Sequence, residues 1–339
     1  MRSMNQLGND LYTGKTSVPF VARRTLWFAI AAILVIASVL VVVIKTPQFS
    51  IEFTGGTQFT VVDVKHAEDQ DVAEKALQSV VPDAVGKVTT IGGNSIKVQT
   101  GEISTAPGAD GAASEADRVS AALAKAYDVP VDNVSSSAIG ASWGEGVTRQ
   151  SLWGLGIFLA LAFLILALYF RTWKMSAAAI IGLVDVLVIT VGVYALFGFE
   201  ISPAAVIGFL TILGYSLYDT TVVFDKIRET TSEQGSASHR TFGESVNLGV
   251  NQTLVRSINT SIVAVLPVGA ILVIGATWMG AQTLSDISLS ITVGIIVAAY
   301  STLFVAAPLY SLFRENEPKI RAHDKKVLSQ RRAEEAVSV

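Results

Sequence analysis

The chain has 339 residues, of which 51% are hydrophobic and only 16% charged, with a mean hydropathy of +0.51. Soluble domains carry about 25% charged residues, so this composition points to a membrane protein. The net charge of −3 is too small to suggest nucleic acid or an acidic substrate, and the absence of cysteine excludes disulfides and thiolate metal sites.

In chain order, six apolar stretches reach the roughly 17–25 residues that cross a bilayer as a helix. They fall at 25–44, 152–170, 176–197, 203–223, 258–278 and 287–312. The remainder divides into tails at 1–24 and 313–339, a separate domain at 45–151 and a loop at 224–257. The first stretch is read as a retained anchor. Its apolar part, Leu26 to Ile44, is too long for a signal peptide, and Lys45-Thr46-Pro47 is no small-residue cleavage site.

Lys and Arg set the orientation. They occur at Arg2, Lys15, Arg23 and Arg24, at Arg171 and Lys174, and at Lys226, Arg228, Arg240 and Arg256; seven more lie between Arg314 and Arg332. The short loops around Glu200 and Asp286 carry none. Both termini are therefore expected in the cytoplasm. Lys45 to Gln150 is expected outside, with 14 acidic against 8 basic residues, a net of −6.

That outer segment alternates strand and helix signals. Thr57 to Val62 is rich in strand formers, and Asp71 to Val81 has helical spacing with Asp71 and Glu74 placed as a capping pair. Lys87 to Ile91 and Ser95 to Gln99 flank the hairpin signal Gly92-Gly93-Asn94. Gly101 to Ala113 reads as a loose connection. Ser114 with Asp117 opens a second helix, and Asn133 to Ile139 is a last strand. The order β-α-β-β-α-β predicts a ferredoxin-like α+β domain between the first and second membrane helices. Its open sheet offers edges for docking a partner or an extended chain.

Asp219 stands out inside the fourth apolar stretch. A carboxylate at the centre of a membrane helix costs roughly 2.5–3.5 kcal/mol on insertion and marks ion or proton traffic by default. Arg256, at the start of the fifth stretch, lies at similar depth and is its expected partner. Asp185, nine residues into the third stretch, is a weaker candidate for the same relay. The alternative for Asp219 and Arg256 is a structural ion pair that fixes helix packing. Asp225, Lys226, Arg228 and Glu229 read as a solvated helix end.

Other signals carry little. Gly8 to Thr16, GNDLYTGKT, is one residue too long for a phosphate-binding loop and follows no strand. His66, His239 and His323 are scattered and make no metal site. Small residues at 192, 198, 208, 214, 269, 275 and 294 suit close helix packing. No cofactor is expected.

Five motifs in order carry a family resemblance. GYSLYDTTVVFDKIRE at Gly214–Glu229 resembles the fourth-span signature of the SecF family, and NQTLVRSINTS at Asn251–Ser261 resembles its fifth. Leu284-Ser285-Asp286, with Gly294 to Val297 and Tyr300-Ser301, resembles the sixth. Glu52-Phe53-Thr54-Gly55-Gly56 and Ile139 to Gly144 are similar to the motifs that flank the outer domain. Departures are Glu52 for Asp, Tyr218 for Asn, Val184 for the His before Asp185, and Ala141 for Pro.

The resemblance implies a polytopic six-helix protein, half of an RND-type core that SecD completes. It implies no bond-making enzyme, but a subunit that uses a proton gradient, or sodium, to help draw unfolded preproteins from the SecYEG channel after SecA, with a YajC-like accessory. Asp219 would then be the proton-responsive carboxylate and Arg256 its charge partner. The glycines at 55, 56, 140 and 144 would be hinge or packing points for a moving outer domain. A different RND-type exporter and a passive translocon scaffold are the alternatives. The first usually carries a large second outer domain, for which the loop near Glu200 is too short.

Overall fold

A computed structural model of the chain describes residues 9–65, 69–91, 94–106, 113–232, 239–275 and 282–337. Helix α1 (Arg24–Lys45) is apolar on nearly every face and buries only Ala31, as a helix in lipid requires. It leads through the two-residue strand β1 (Gln48–Phe49) and the single turn α2 (Ile51–Thr54) into an α+β domain.

The domain contains β2 (Gly56–Val61), α3 (Gln70–Val80), β3 (Lys87–Ile91), β4 (Ser95–Thr100), α4 (Glu115–Ala126) and β5 (Val134–Ile139). This is the β-α-β-β-α-β order expected. The sheet runs β3-β4-β2-β5 with every neighbouring pair antiparallel. Gly92 and Gly93 of the hairpin signal lie outside the described residues, but Ile91 pairs with Ser95 on either side of them. Alternate residues Phe59, Val61, Ile96 and Val98 face Leu77, Val119 and Leu123 of the helices to form the core. Ser114 and Asp117 form the full capping box of α4, with Ser114 Oγ 3.0 Å from the Asp117 amide. Asp71 and Glu74 do not cap α3. That helix starts one residue earlier than expected, after Asp69, and has no side-chain cap.

Helices α5 (Ala141–Phe170), α6 (Trp173–Phe197), α7 (Pro203–Ser232) and α8 (Phe242–Ile274) follow, with strand β6 (Glu200–Ile201) between α6 and α7. Next comes α9 (Gln282–Ser301), which passes through a π-helical turn at Thr302–Ala306 into α10 (Ala307–Arg314). The chain closes with α11 (Pro318–Val337). Among the described residues six helices are long and apolar enough to span a membrane.

Three boundaries differ from expectation: α5 begins at Ala141, eleven residues before the expected start at 152 and inside the stretch assigned to the outer domain. Of the stretch 224–257 expected as a loop, residues 224–232 continue α7 and residues 242–257 belong to α8. Thr241 and Glu244 start α8 with a reciprocal capping box, which the polar composition concealed. Nor is 313–339 a plain tail, since α11 occupies most of it. It is tied down by Arg331 on Glu244 at 2.7 Å and by Asp324, which accepts the Phe242 amide at 2.8 Å.

The glycines beside the domain are tightly packed. Gly55 has φ +73° and Gly56 φ +126°, in the region that favours glycine. A Cβ on Gly55 would lie 2.7 Å from Ala141 Cα, one on Gly56 would collide with the Thr100 carbonyl, and one on Gly144 would lie 2.5 Å from the Phe53 carbonyl oxygen. Gly55 and Gly144 clasp α2 against the start of α5, while Gly56 packs on β4 within the domain. Gly140 is open, its nearest neighbour being Glu102 Oε1 at 4.0 Å. Gly144→Ala should therefore destabilise the protein by about 1–3 kcal/mol, as overpacking does. Thermal unfolding in detergent checks this, with Gly154→Ala, which meets nothing within 4 Å, expected to be neutral.

Candidate functional site

Helices α7 and α8 run antiparallel in a fixed register. Thr230 Oγ1 donates to the Ser245 carbonyl at 3.0 Å, and Gly249 packs on Ile227, where a Cβ would come within 2.9 Å of the Ile227 Cα. The same register carries Asp219 to Ser257.

Asp219 is 6% exposed, and Ser257 Oγ donates to its Oδ2 at 2.7 Å. A hydrogen bond to a carboxylate is among the stronger kinds, and it offsets part of the desolvation of the charge. One turn away, the Tyr215 hydroxyl donates to Ser261 Oγ at 3.5 Å. On the neighbouring face of α7, Thr220 Oγ1 lies 3.1 Å from Thr302 Oγ1, at the start of the π turn. Asp219 is sixteen residues beyond Pro203, so it lies about 24 Å along α7 from the end nearest the α+β domain at 1.5 Å per residue. In a hydrocarbon layer about 30 Å thick that is the half away from the domain.

The expected direct pair with Arg256 is not formed. Asp219 bonds to Ser257 instead, and Arg256 is exposed, close enough to act on the carboxylate only through its field. A helix turns by about 100° per residue, so two consecutive residues cannot both face the same neighbour. Ser257 carries no charge to mark it in the sequence beside Arg256. The available signal was the four-residue spacing of Thr253, Ser257 and Ser261, which places three small hydroxyl side chains on one face, all buried.

Asp185 is also buried, on α6, but no direct hydrogen bond joins it to Asp219. Its Oδ2 has no hydrogen-bond partner, and neither has the Tyr300 hydroxyl. Ser301 lies beside Asp185 and donates to the Gly182 carbonyl at 3.0 Å. The last membrane helix thus lies beside Asp185 through Ser301, and against Thr220, the residue after Asp219, through Thr302. π-helical turns inside longer helices recur at functional positions.

The face of α7 and α8 next to Asp219 is open. Tyr218 is 59% exposed, and Arg256 and Asn259 are exposed beside it. Among the described residues, no group of three or more His, Asp or Glu side chains is placed to hold a metal.

Residues 119–316 match the protein family described as protein export membrane protein SecD/SecF, C-terminal. Over 331 residues the chain is 38% identical to the protein translocase subunit SecF of Streptomyces coelicolor, across 98% of this chain and 86% of that one. It is 37% identical to the SecF subunit of Mycobacterium tuberculosis over 337 residues, 95% of this chain and 72% of the other. The protein translocase subunit SecDF of Thermus thermophilus is 31% identical over 83% of this chain, which spans only 37% of that longer protein. A crystal structure of the Thermus SecDF, titled a translocon-associated membrane protein, superposes with a TM-score of 0.75 at 28% identity. The match covers 89% of this chain and 39% of the Thermus chain.

Replacing Ser257 by Ala should leave the buried Asp219 oxygen without its donor and cost about 1–3 kcal/mol. A lower melting temperature in detergent is expected for Ser257→Ala, with most of the loss recovered in Ser257→Thr.

Proposed function

Because the chain belongs to the SecD/SecF family of protein export membrane proteins, we propose that it is a SecF-type subunit that couples a proton gradient to preprotein export. The observation that carries the proposal is the buried Asp219 between two membrane helices. Protonation would remove its charge, weaken its hold on Ser257 and relax the field between it and Arg256. One charge crossing 100 mV releases about 2.3 kcal/mol, so a few protons suffice for a domain movement.

The open face beside Asp219 supports a SecD-type partner. Arg256, Asn259 and Tyr218 are exposed at membrane depth. Lipid gives such groups no hydrogen bonds, and charged residues in membrane helices almost always face protein or water. A second membrane half would cover them. The longer Thermus relative, of which this chain spans about two-fifths, supports the same partner. We assign the complex to the cell membrane with both termini in the cytoplasm and the α+β domain outside, acting beside SecYEG and SecA with a YajC-like accessory. Its work is movement of charge and chain, without bond chemistry or a resident cofactor. Asp185 is a second carboxylate in the same bundle, and sodium in place of the proton is the other coupling ion this chemistry admits.

The test is secretion of a reporter preprotein by cells whose only copy carries Asp219→Asn, with membrane level and SecD association measured alongside. Export should fall while the complex still assembles. Unchanged export across a range of imposed gradients would leave the chain a passive scaffold.

A further inference from the structure

Lys97 is 3% exposed, although it sits on the sheet face opposite the domain's core. What covers it belongs to the membrane bundle. Its ammonium closes on Glu200, and Gln99, two residues along β4, donates to the other Glu200 oxygen at 2.6 Å. Glu200 lies in β6, three residues before α7 begins. The same short segment pairs with β1 in parallel, Gln48 with Glu200 and Phe49 with Ile201, and the Ser50 amide donates to the Ile201 carbonyl at 3.1 Å. Ser202 then caps α7, its Oγ accepting the Ala205 amide at 3.2 Å while donating to Asp286 Oδ2 at 2.7 Å.

Burial lowers the Lys97 pKa to about 8, with Asp286 and Glu52 opposing that fall and Lys87 adding to it. Lys97 is thus charged at neutral pH and the contact is an ion pair. Buried ion pairs add little net stability over apolar side chains of the same size, but losing one partner strands a charge. Their attested use is to specify one arrangement over others.

We infer that Lys97 and Gln99, closed on Glu200, form a strut that joins the α+β domain to the start of the helix carrying Asp219. The inference rests on the role of Asp219 proposed above. From Pro203 to Ser232 α7 is continuous, so a displacement at Asp219 would travel along a single rod to Pro203, three residues from Glu200. The glycine clasp holds the domain to α5, and the strut holds it to α7. Relative movement of those two helices would turn the domain without a flexible hinge. Lys97, Gln99 and Glu200 are positioning residues, remote from the proton site.

The natural chain has no cysteine, so introduced pairs report cleanly. In the assembled complex, Lys97→Met and the double variant Lys97→Met/Glu200→Gln should lower the gradient-dependent part of export to the level of Asp219→Asn. The gradient-independent part should persist. The double variant removes both charges of the pair, so neither Lys97 nor Glu200 is left stranded, and a normal membrane level and SecD association separate loss of the strut from misfolding. Lys97→Cys/Glu200→Cys should show the same loss and recover when bridged by a short bis-maleimide. Export at the parental rate in the double variant, or arrest on bridging, would overturn the strut. Hydrogen exchange gives a reading independent of export. The Ser50 amide should exchange faster in both Met variants, and unchanged exchange overturns the strut even where Asp219→Asn exports normally. Failure of Asp219→Asn alone overturns the functional reading instead.

Discussion

The hydrogen bond from Ser257 to Asp219 constrains the whole membrane bundle. An ionised carboxylate is tolerated away from water only when donors and opposite charge surround it. Meeting that condition requires α7 and α8 to approach closely, which Gly249 permits at Ile227 and which Thr253, Ser257 and Ser261 permit by being small. It also fixes the rotation of both helices. With Ser257 turned inward, Arg256 is turned toward the open face, where it joins Tyr218 and Asn259. The interaction that satisfies the carboxylate within the chain thus leaves Arg256, Asn259 and Tyr218 exposed together, the polar face on which the proposed SecD-type partner would sit.

The same rotation links the carboxylate to the rest of the molecule. With Asp219 facing α8, its neighbour Thr220 faces the π turn of the last membrane helix, and Ser301 one residue before that turn reaches α6 beside Asp185. Four helices thus meet through small hydroxyl groups around two carboxylates. Toward the other end, α7 runs unbroken to Pro203 and to the short β1–β6 pair. The clasp of Gly55 and Gly144 on α5 and the Lys97–Glu200 ion pair beside α7 fasten the α+β domain at two places.

The parts legible in the sequence were those set by periodicity and by the cost of a charge in lipid. Asp219 was visible because nothing else in its apolar run is charged, and the order of strands and helices in the domain followed from alternation and turn signals. The partner of Asp219 was misread because similar depth does not fix angular position. Only the spacing of the hydroxyl residues on α8 carries that angle. Polar composition at 224–257 read as loop, whereas long polar helices are held there by caps and by contacts with α11. The glycines read as hinge or packing points alike, since the atom opposite each one is a tertiary fact. The Lys97–Glu200 contact was not legible at all, because it joins residues from separate parts of the chain across 103 positions.

Asp219 is the group proposed to take up the proton, and infrared difference spectroscopy of the reconstituted complex tests that directly. Acidification should produce a protonated-carboxyl carbonyl band that persists in Asp185→Asn and disappears in Asp219→Asn. A band of unchanged size in Asp219→Asn would place the proton elsewhere and contradict the account.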